Sequence, residues 1–265
     1  YITASNIEGL PASDPFPYSG SAEITGSLGL AYMAPPSSRV WSAGGALING
    51  RARLAGAGTQ NAGLAFGGGT NSSYQACTEE YDGTSWSAGS ALITDIRQLA
   101  GAGTQNAALA FGGCNIQYGE TPDTEEYDGT SWTAGGALIT ARAELGGAGT
   151  QNAALAFGGA YDMSTIYSCT EEYDGTSWTA GGALITTKQK LAGAGTQNAA
   201  LSFGGDNFGP TSATEEYNGT SWSAGGALAT TRYQLGGAGT QNVALAFGGV
   251  GSAILSCTEE YDGTS

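Results

Sequence analysis

The five tryptophans of this chain, Trp41, Trp86, Trp132, Trp178 and Trp222, fall 45, 46, 46 and 44 residues apart, and nearly the same sentence is written around each. Its fullest copy, TEEYDGTSWTAGGALITARAELGGAGTQNAALAFGG, runs from Thr124 to Gly159. A period of that length restricts the chain to a ring or stack of supersecondary units, none of which can bury its apolar face alone.

One copy resolves into four strand-like pieces. Leu99-Ala100-Gly101-Ala102-Gly103-Thr104 has almost no side chains and is joined by the polar turn Gln105-Asn106 to the apolar run from Ala107, closed by Gly112-Gly113. These two pieces predict a hairpin. After a loop that differs in every copy comes Thr124-Glu125-Glu126-Tyr127, then Asp128-Gly129, then a strand from Trp132. Asp-Gly between two strand-like runs signals a second hairpin. Four strands in about 45 residues is the content of a propeller blade.

The order of basic residue, small-residue strand, apolar strand ending in Gly-Gly, strand ending in Tyr-Asp and then Trp resembles the kelch repeat of galactose-oxidase-like propellers. The resemblance spans residues 41–265, and every copy keeps the Gly pair and the Tyr; it implies an all-β, five-bladed β-propeller of four-stranded blades. Because the chain stops one residue before the next Trp would fall, the strand from Trp41 to about Ile48 is expected to complete the last blade and close the ring, pairing edges that would otherwise stay open. The copper chemistry of galactose oxidase does not carry over, since it needs His ligands and this chain has no histidine. No cofactor or metal is expected.

Residues 1–40 lie outside the repeat. Pro11, Pro15 and Pro17 predict an extended start, residues 21–30 alternate like a strand bent at Gly26, and Pro35-Pro36-Ser37-Ser38 reads as a linker. The stretch GSAEITGSLGL resembles connectors in tail-fibre and structural proteins of marine bacteriophages, which implies a tether to a larger particle or filament; an arm strapped across the propeller is the alternative. The chain begins at Tyr1, so a processed product or a fragment is expected. With 8 Lys plus Arg against a net charge of −15, nucleic acid is not an expected partner, because phosphate binding needs clustered cations. No apolar run approaches the roughly 20 residues that a bilayer-crossing helix needs. The four cysteines read as free thiols, with a Cys77–Cys114 bridge the one conceivable pair.

The near-invariant turns carry no chemistry in this reading. Asp82-Gly83-Thr84-Ser85-Trp86 resembles the Asp box of sialidases, one residue short, but the fourth copy has Asn218 in place of the Asp. Asn-Gly makes the same turn, whereas a ligand or an acid would lose its charge. The Glu pairs, such as Glu79-Glu80, point to opposite strand faces, so they cannot serve as an acid and base at one spot. They are expected to accept hydrogen bonds from backbone or from an Arg.

Variation concentrates in two sets of loops, those between the second and third strands and those joining one blade to the next. In an up-and-down blade these emerge together on one face. They carry the candidate ligand-binding residues Arg53, Tyr74, Gln75, Arg97, Tyr118, Tyr161, Lys188, Lys190, Asn207, Phe208 and Tyr233. Flat rings mixed with amide and cationic donors suit a polar ligand. Loop drift on a fixed scaffold would also produce variation. The expected function is non-enzymatic recognition of a surface glycan or protein receptor, in an extracellular or virion setting. A structural decoration of an assembly is the alternative; an enzyme using Asp95 and Glu144 near the axis is the third.

Overall fold

Alternation of Gly and Ala leaves the first strand of each copy nearly bare, and it pairs antiparallel with the apolar run that follows it. In the computed structural model, which describes residues 42–70, 73–162 and 164–263, β1 (Ala55–Thr59) pairs with β2 (Ala62–Phe66), β2 with β3 (Thr78–Tyr81), and β3 with β4 (Trp86–Ala88). The second blade repeats this with β5 (Ala100–Thr104), β6 (Ala107–Phe111), β9 (Thr124–Tyr127) and β10 (Trp132–Ala134); a short loop ribbon, β7 (Cys114–Asn115) and β8 (Gly119–Glu120), stands between them. The third comprises β11 (Gly146–Thr150), β12 (Ala153–Phe157), β15 (Thr170–Tyr173) and β16 (Trp178–Ala180), with ribbon β13 (Ala160–Tyr161) and β14 (Thr165–Ile166). The fourth is β17 (Ala192–Thr196), β18 (Ala199–Phe203), β19 (Thr214–Tyr217) and β20 (Trp222–Ala224). The fifth shows β21 (Gly236–Gly239), β22 (Ala244–Phe247) and β23 (Thr258–Tyr261). No helix occurs among the described residues.

The bare first strands face one another around a common axis, β1 against β5, β5 against β11, β11 against β17 and β17 against β21. The chain is therefore a five-bladed β-propeller. Loops of the two variable sets bridge one another at Ala52 with Gly69, Arg97 with Cys114, Ala143 with Ala160, Gln189 with Asp206 and Tyr233 with Val250, which puts both sets on one face as expected.

Each inner tryptophan joins two blades. The Trp132 ring lies 5.1 Å from Phe66 of the preceding blade and 4.9 Å from Tyr127 of its own, and its indole N–H donates to Thr78 Oγ1 at 3.0 Å. Trp178 repeats the set with Phe111, Tyr173 and Thr124, and Trp222 with Phe157, Tyr217 and Thr170. The corresponding three residues of the next joint, Phe203, Thr214 and Tyr261, line a cavity of about 320 Å³.

The expected closing strand needs one correction. Trp41 and the tether lie outside the described residues, but residues 42–50 contain no strand. The outer strands of the other blades run for only three residues, Trp-Ser/Thr-Ala, after which the chain leaves the sheet to enter the next blade. Gly136, Gly182 and Gly45 show why: a Cβ there would lie 2.2 to 2.5 Å from a carbonyl oxygen of that blade's Thr-Ser turn.

We expect Trp178→Ala to lower the unfolding free energy by about 3 to 5 kcal/mol, as for a large aromatic deleted from a core. Trp86→Ala should cost clearly less, since Trp86 is half-buried and its ring stacks on Tyr81 of its own blade. Denaturant titration of the two variants checks this, and equal losses would contradict the joining role.

Candidate functional site

The constant face is built as fastening. Asp82 Oδ1 accepts the amides of Thr84 and Ser85 at 2.8 and 2.7 Å, and Asn218 Oδ1 accepts those of Thr220 and Ser221 at 3.0 and 2.9 Å. The Asn copy thus makes the same turn as its Asp counterparts. In four of the five Thr-Gln-Asn turns the Gln reaches back across the joint. Gln105 Nε2 donates to the carbonyls of Gly63 and Tyr81 at 3.0 and 2.8 Å, and Gln151, Gln197 and Gln241 do the same one blade on.

The Glu pairs divide their work. The first Glu of each pair is turned toward the segment entering its blade: Glu125 accepts the amides of Ile93 and Thr94 at 2.8 and 3.1 Å, and Glu79, Glu171, Glu215 and Glu259 take equivalent pairs. A basic residue at the head of the blade joins four of these carboxylates: Arg51 with Glu79, Arg142 with Glu171, Lys188 with Glu215 at 3.2 Å, and Arg232 with Glu259. All four cationic side chains are fully buried. In the first four blades the second Glu accepts the Tyr hydroxyl of the next blade, as Glu80 does from Tyr127 and Glu126 from Tyr173. Burial, then that carboxylate, pushes Tyr127, Tyr173 and Tyr217 up to about 12.

Lys188 was expected to meet a ligand, and the structure instead closes it inside an ion pair. Burial pushes its ammonium below the usual range even with Glu215 beside it. In the second blade Ile96, 5% exposed, stands where the others carry the cation. Burial accordingly raises the Glu125 carboxyl, and the two amides offset this only in part. Glu79 also feels burial, but the amides of Ile48 and Asn49 and the Arg51 guanidinium outweigh it and hold it below the usual range.

The other expected site residues fall into three groups. Tyr118, Tyr161, Asn207 and Phe208 are exposed at loop tips, with Tyr118 75% and Phe208 79% accessible. Tyr74, Arg97 and Gln75 form a half-buried shelf, in which the Arg97 guanidinium lies 4.2 Å over the Tyr74 ring and donates to Thr70 O at 3.2 Å. Gln75 serves the fold, its amide bonded to Gly68 O and its side chain accepting from Cys77 Sγ. All four cysteines are free.

Arg53, Lys190 and Tyr233 belong to the axis. Arg53, Gln98, Glu144, Lys190 and Gln234 occupy one position of the repeat, all with positive φ between 52° and 59°. Backbone bonds link them in series, Gln98 N to Arg53 O, Glu144 N to Gln98 O, Lys190 N to Glu144 O and Gln234 N to Lys190 O, at 2.8 to 2.9 Å. Together with the leucine that follows each, they line a mouth of about 510 Å³ on the variable face. Asp95 is exposed and is not among the lining residues, so the acid pair Asp95 and Glu144 is not assembled there. Gln98 and Gln234 escape sequence reading because nothing marks a left-handed residue unless it is Gly or Asn. The available signal was that the position before Leu in Leu-Ala/Gly-Gly-Ala-Gly changes in nearly every copy while its neighbours do not.

No protein-family model matches this chain, and no curated protein does.

Glu79→Gln is expected to cost about 3 to 5 kcal/mol at pH 7, because it leaves the buried Arg51 guanidinium unpaired. Glu125→Gln should be near neutral there, since no cation is orphaned. The pH dependences run oppositely. The raised Glu125 favours folding below its unfolded value of about 4.3 and loses that contribution as pH rises through its higher folded value, so Glu125→Gln removes a relative gain at acid pH. Glu79 contributes above about 4.3 and loses it as pH falls through its lower folded value. Urea titrations at pH 4 and 7 read both effects.

Proposed function

We propose that this propeller is a non-enzymatic recognition module that binds a surface glycan or protein receptor through its variable face. The reading extends to a kelch-like repeat carried on a virion or extracellular appendage, tethered to a particle or filament through residues 1–40. One observation supports it most. The same repeat builds two faces, and one carries near-identical turns, four of whose Gln side chains donate across a joint, while the other presents loops of different length and composition. Those loops expose Ile116 and Tyr118 in one blade, Tyr161 in the next, Phe208 in the fourth and Ile254 in the fifth. Aromatic area with adjacent amides and cations gives flat apolar contact plus oriented donors, which is what polar ligands require. Scaffold needs account for the buried basic residues but not for these tips. Decoration of an assembly is the second reading, favoured only by the tether's composition.

The test is retention of the full chain on intact bacterial envelopes and on immobilised glycans, against a Tyr118→Ala, Tyr161→Ala, Phe208→Ala variant. All three residues are exposed, so the variant should keep the wild-type melting curve and lose at least tenfold in retention. A wild type that is retained nowhere, or a variant retained as well as wild type, would count against recognition by this face.

A further inference from the structure

We infer that the axial mouth of the variable face is a subsite for the carboxylate of an acidic saccharide, with the Arg53 guanidinium and the Gln234 carboxamide as its donors. This rests on the recognition reading above and names the ligand class.

The first argument comes from backbone strain. Four other repeat positions take positive φ, those of Gly58, Gly67, Gly68 and Gly83, and each is glycine in all five copies. The ring position, with φ between 52° and 59°, is nearest in backbone to the Gly67 position, whose copies lie at 64° to 66°, and is never glycine. The chain holds 46 glycines and places them at every other left-handed position that recurs in the repeat, because Gly enters that region without steric penalty; the remaining left-handed non-glycines, Asp162 and Phe208, stand singly in loops. Five side chains held there against that penalty point to a use for the side chains, and observed strain of this kind clusters at ligand sites.

The second argument comes from which side chains are engaged. Gln98 Nε2 donates to Glu144, and Gln98 Oε1 accepts from Cys114 Sγ at 3.0 Å. Lys190 Nζ sits 3.5 Å from Glu144 and 3.7 Å from Asp206, and 5.7 Å over the Tyr233 ring. That side of the ring is fixed by its own contacts, with one cation set between two carboxylates. Arg53 and Gln234 are exposed and make no side-chain hydrogen bond or ion pair among the described residues. They are the first and last members of the ring, at the one join without a backbone bond of the series among those residues.

A guanidinium fork binds a carboxylate bidentately, and a neighbouring amide adds a donor. Arg53 is the one cation of the mouth without an ion pair among the described residues, and it matches a singly charged group better than a doubly charged phosphate, on which the repulsion of Glu144 and Asp206 would be greater. The leucines lining the mouth offer apolar surface for the C–H face of a sugar ring.

The experiment uses the full chain on the same envelopes, with competing uronate and nonulosonate oligosaccharides and neutral oligosaccharides of equal length. Arg53→Gln is expected to weaken binding of the acidic oligosaccharides at least tenfold, and only acidic competitors should displace the wild type. Arg53→Gly should raise Tm by about 2 to 4 °C as the strain is relieved, while abolishing that binding; a residue kept for the fold would lower Tm instead. If the envelopes hold the protein, the loop-tip variant releases it, and neither Arg53 variant nor any acidic competitor matters, the inference falls and recognition stands. Retention on no surface overturns both.

Discussion

In the first four blades the phenyl ring that ends the second strand rests on a bare glycine of the next blade's first strand, and the spacing of those blades depends on that contact. A Cβ on Gly101 would come within 2.6 Å of Phe66, on Gly147 within 2.8 Å of Phe111, and on Gly193 and Gly237 within 2.6 Å of Phe157 and Phe203. Any side chain here would push neighbouring first strands apart and widen the axis. With glycine in place, Phe66, Phe111, Phe157 and Phe203 are at most 2% exposed, and the tryptophan of the following blade closes over the other side of each of the first three rings. Close backbone approach of this kind is a use of strand glycine that outweighs its entropic penalty.

Charge follows from the same geometry. The chain carries 23 acidic residues, and the Glu pairs among them are largely structural. Successive residues on a strand point to opposite faces, so one Glu of each pair holds the incoming segment and, in the first four blades, the other meets a Tyr of the next blade. The net charge of −15 is therefore a poor guide to what the surface attracts. Basic residues are likewise divided, with Arg51, Arg142, Lys188 and Arg232 drawn inside and Arg53, Arg97 and Lys190 left on the variable face.

The repeat, the two hairpins in each copy and the sharing of a face by the two variable loop sets were legible because they rest on period and turn chemistry. The roles of Arg51 against Arg53, and of Lys188 against Lys190, were not. Two residues apart on an extended chain, such side chains share a face and look interchangeable. The left-handed residue at 53 and 190 turns the chain there, so the first member enters the blade and the second reaches the axial mouth. A conformation of that kind leaves no mark in composition when the residue is not glycine. The length of the outer strand was hidden for a related reason: the Gly-Gly after Trp-Ser/Thr-Ala reads as flexible strand, and only contact with the next blade shows that the chain must leave the sheet there.

The second blade acts as a control inside the chain. Its Ile96 removes the buried cation, yet Glu125 still accepts the amides of Ile93 and Thr94 at 2.8 and 3.1 Å, and the blade keeps the same four-strand order. The amide pair is thus sufficient to hold the incoming segment, and the cation answers the carboxylate's burial rather than the fold's geometry. That separation has a consequence for the face. Set one residue later, Arg97 leaves the interior and settles over Tyr74, with its Nε buried and unpaired among the described residues. A cation that is scaffold in four blades has moved to the surface in the second, while Ile96 fills its place in the interior and the sheet is undisturbed. Such tolerance allows loops to diversify on a propeller whose joints stay constant.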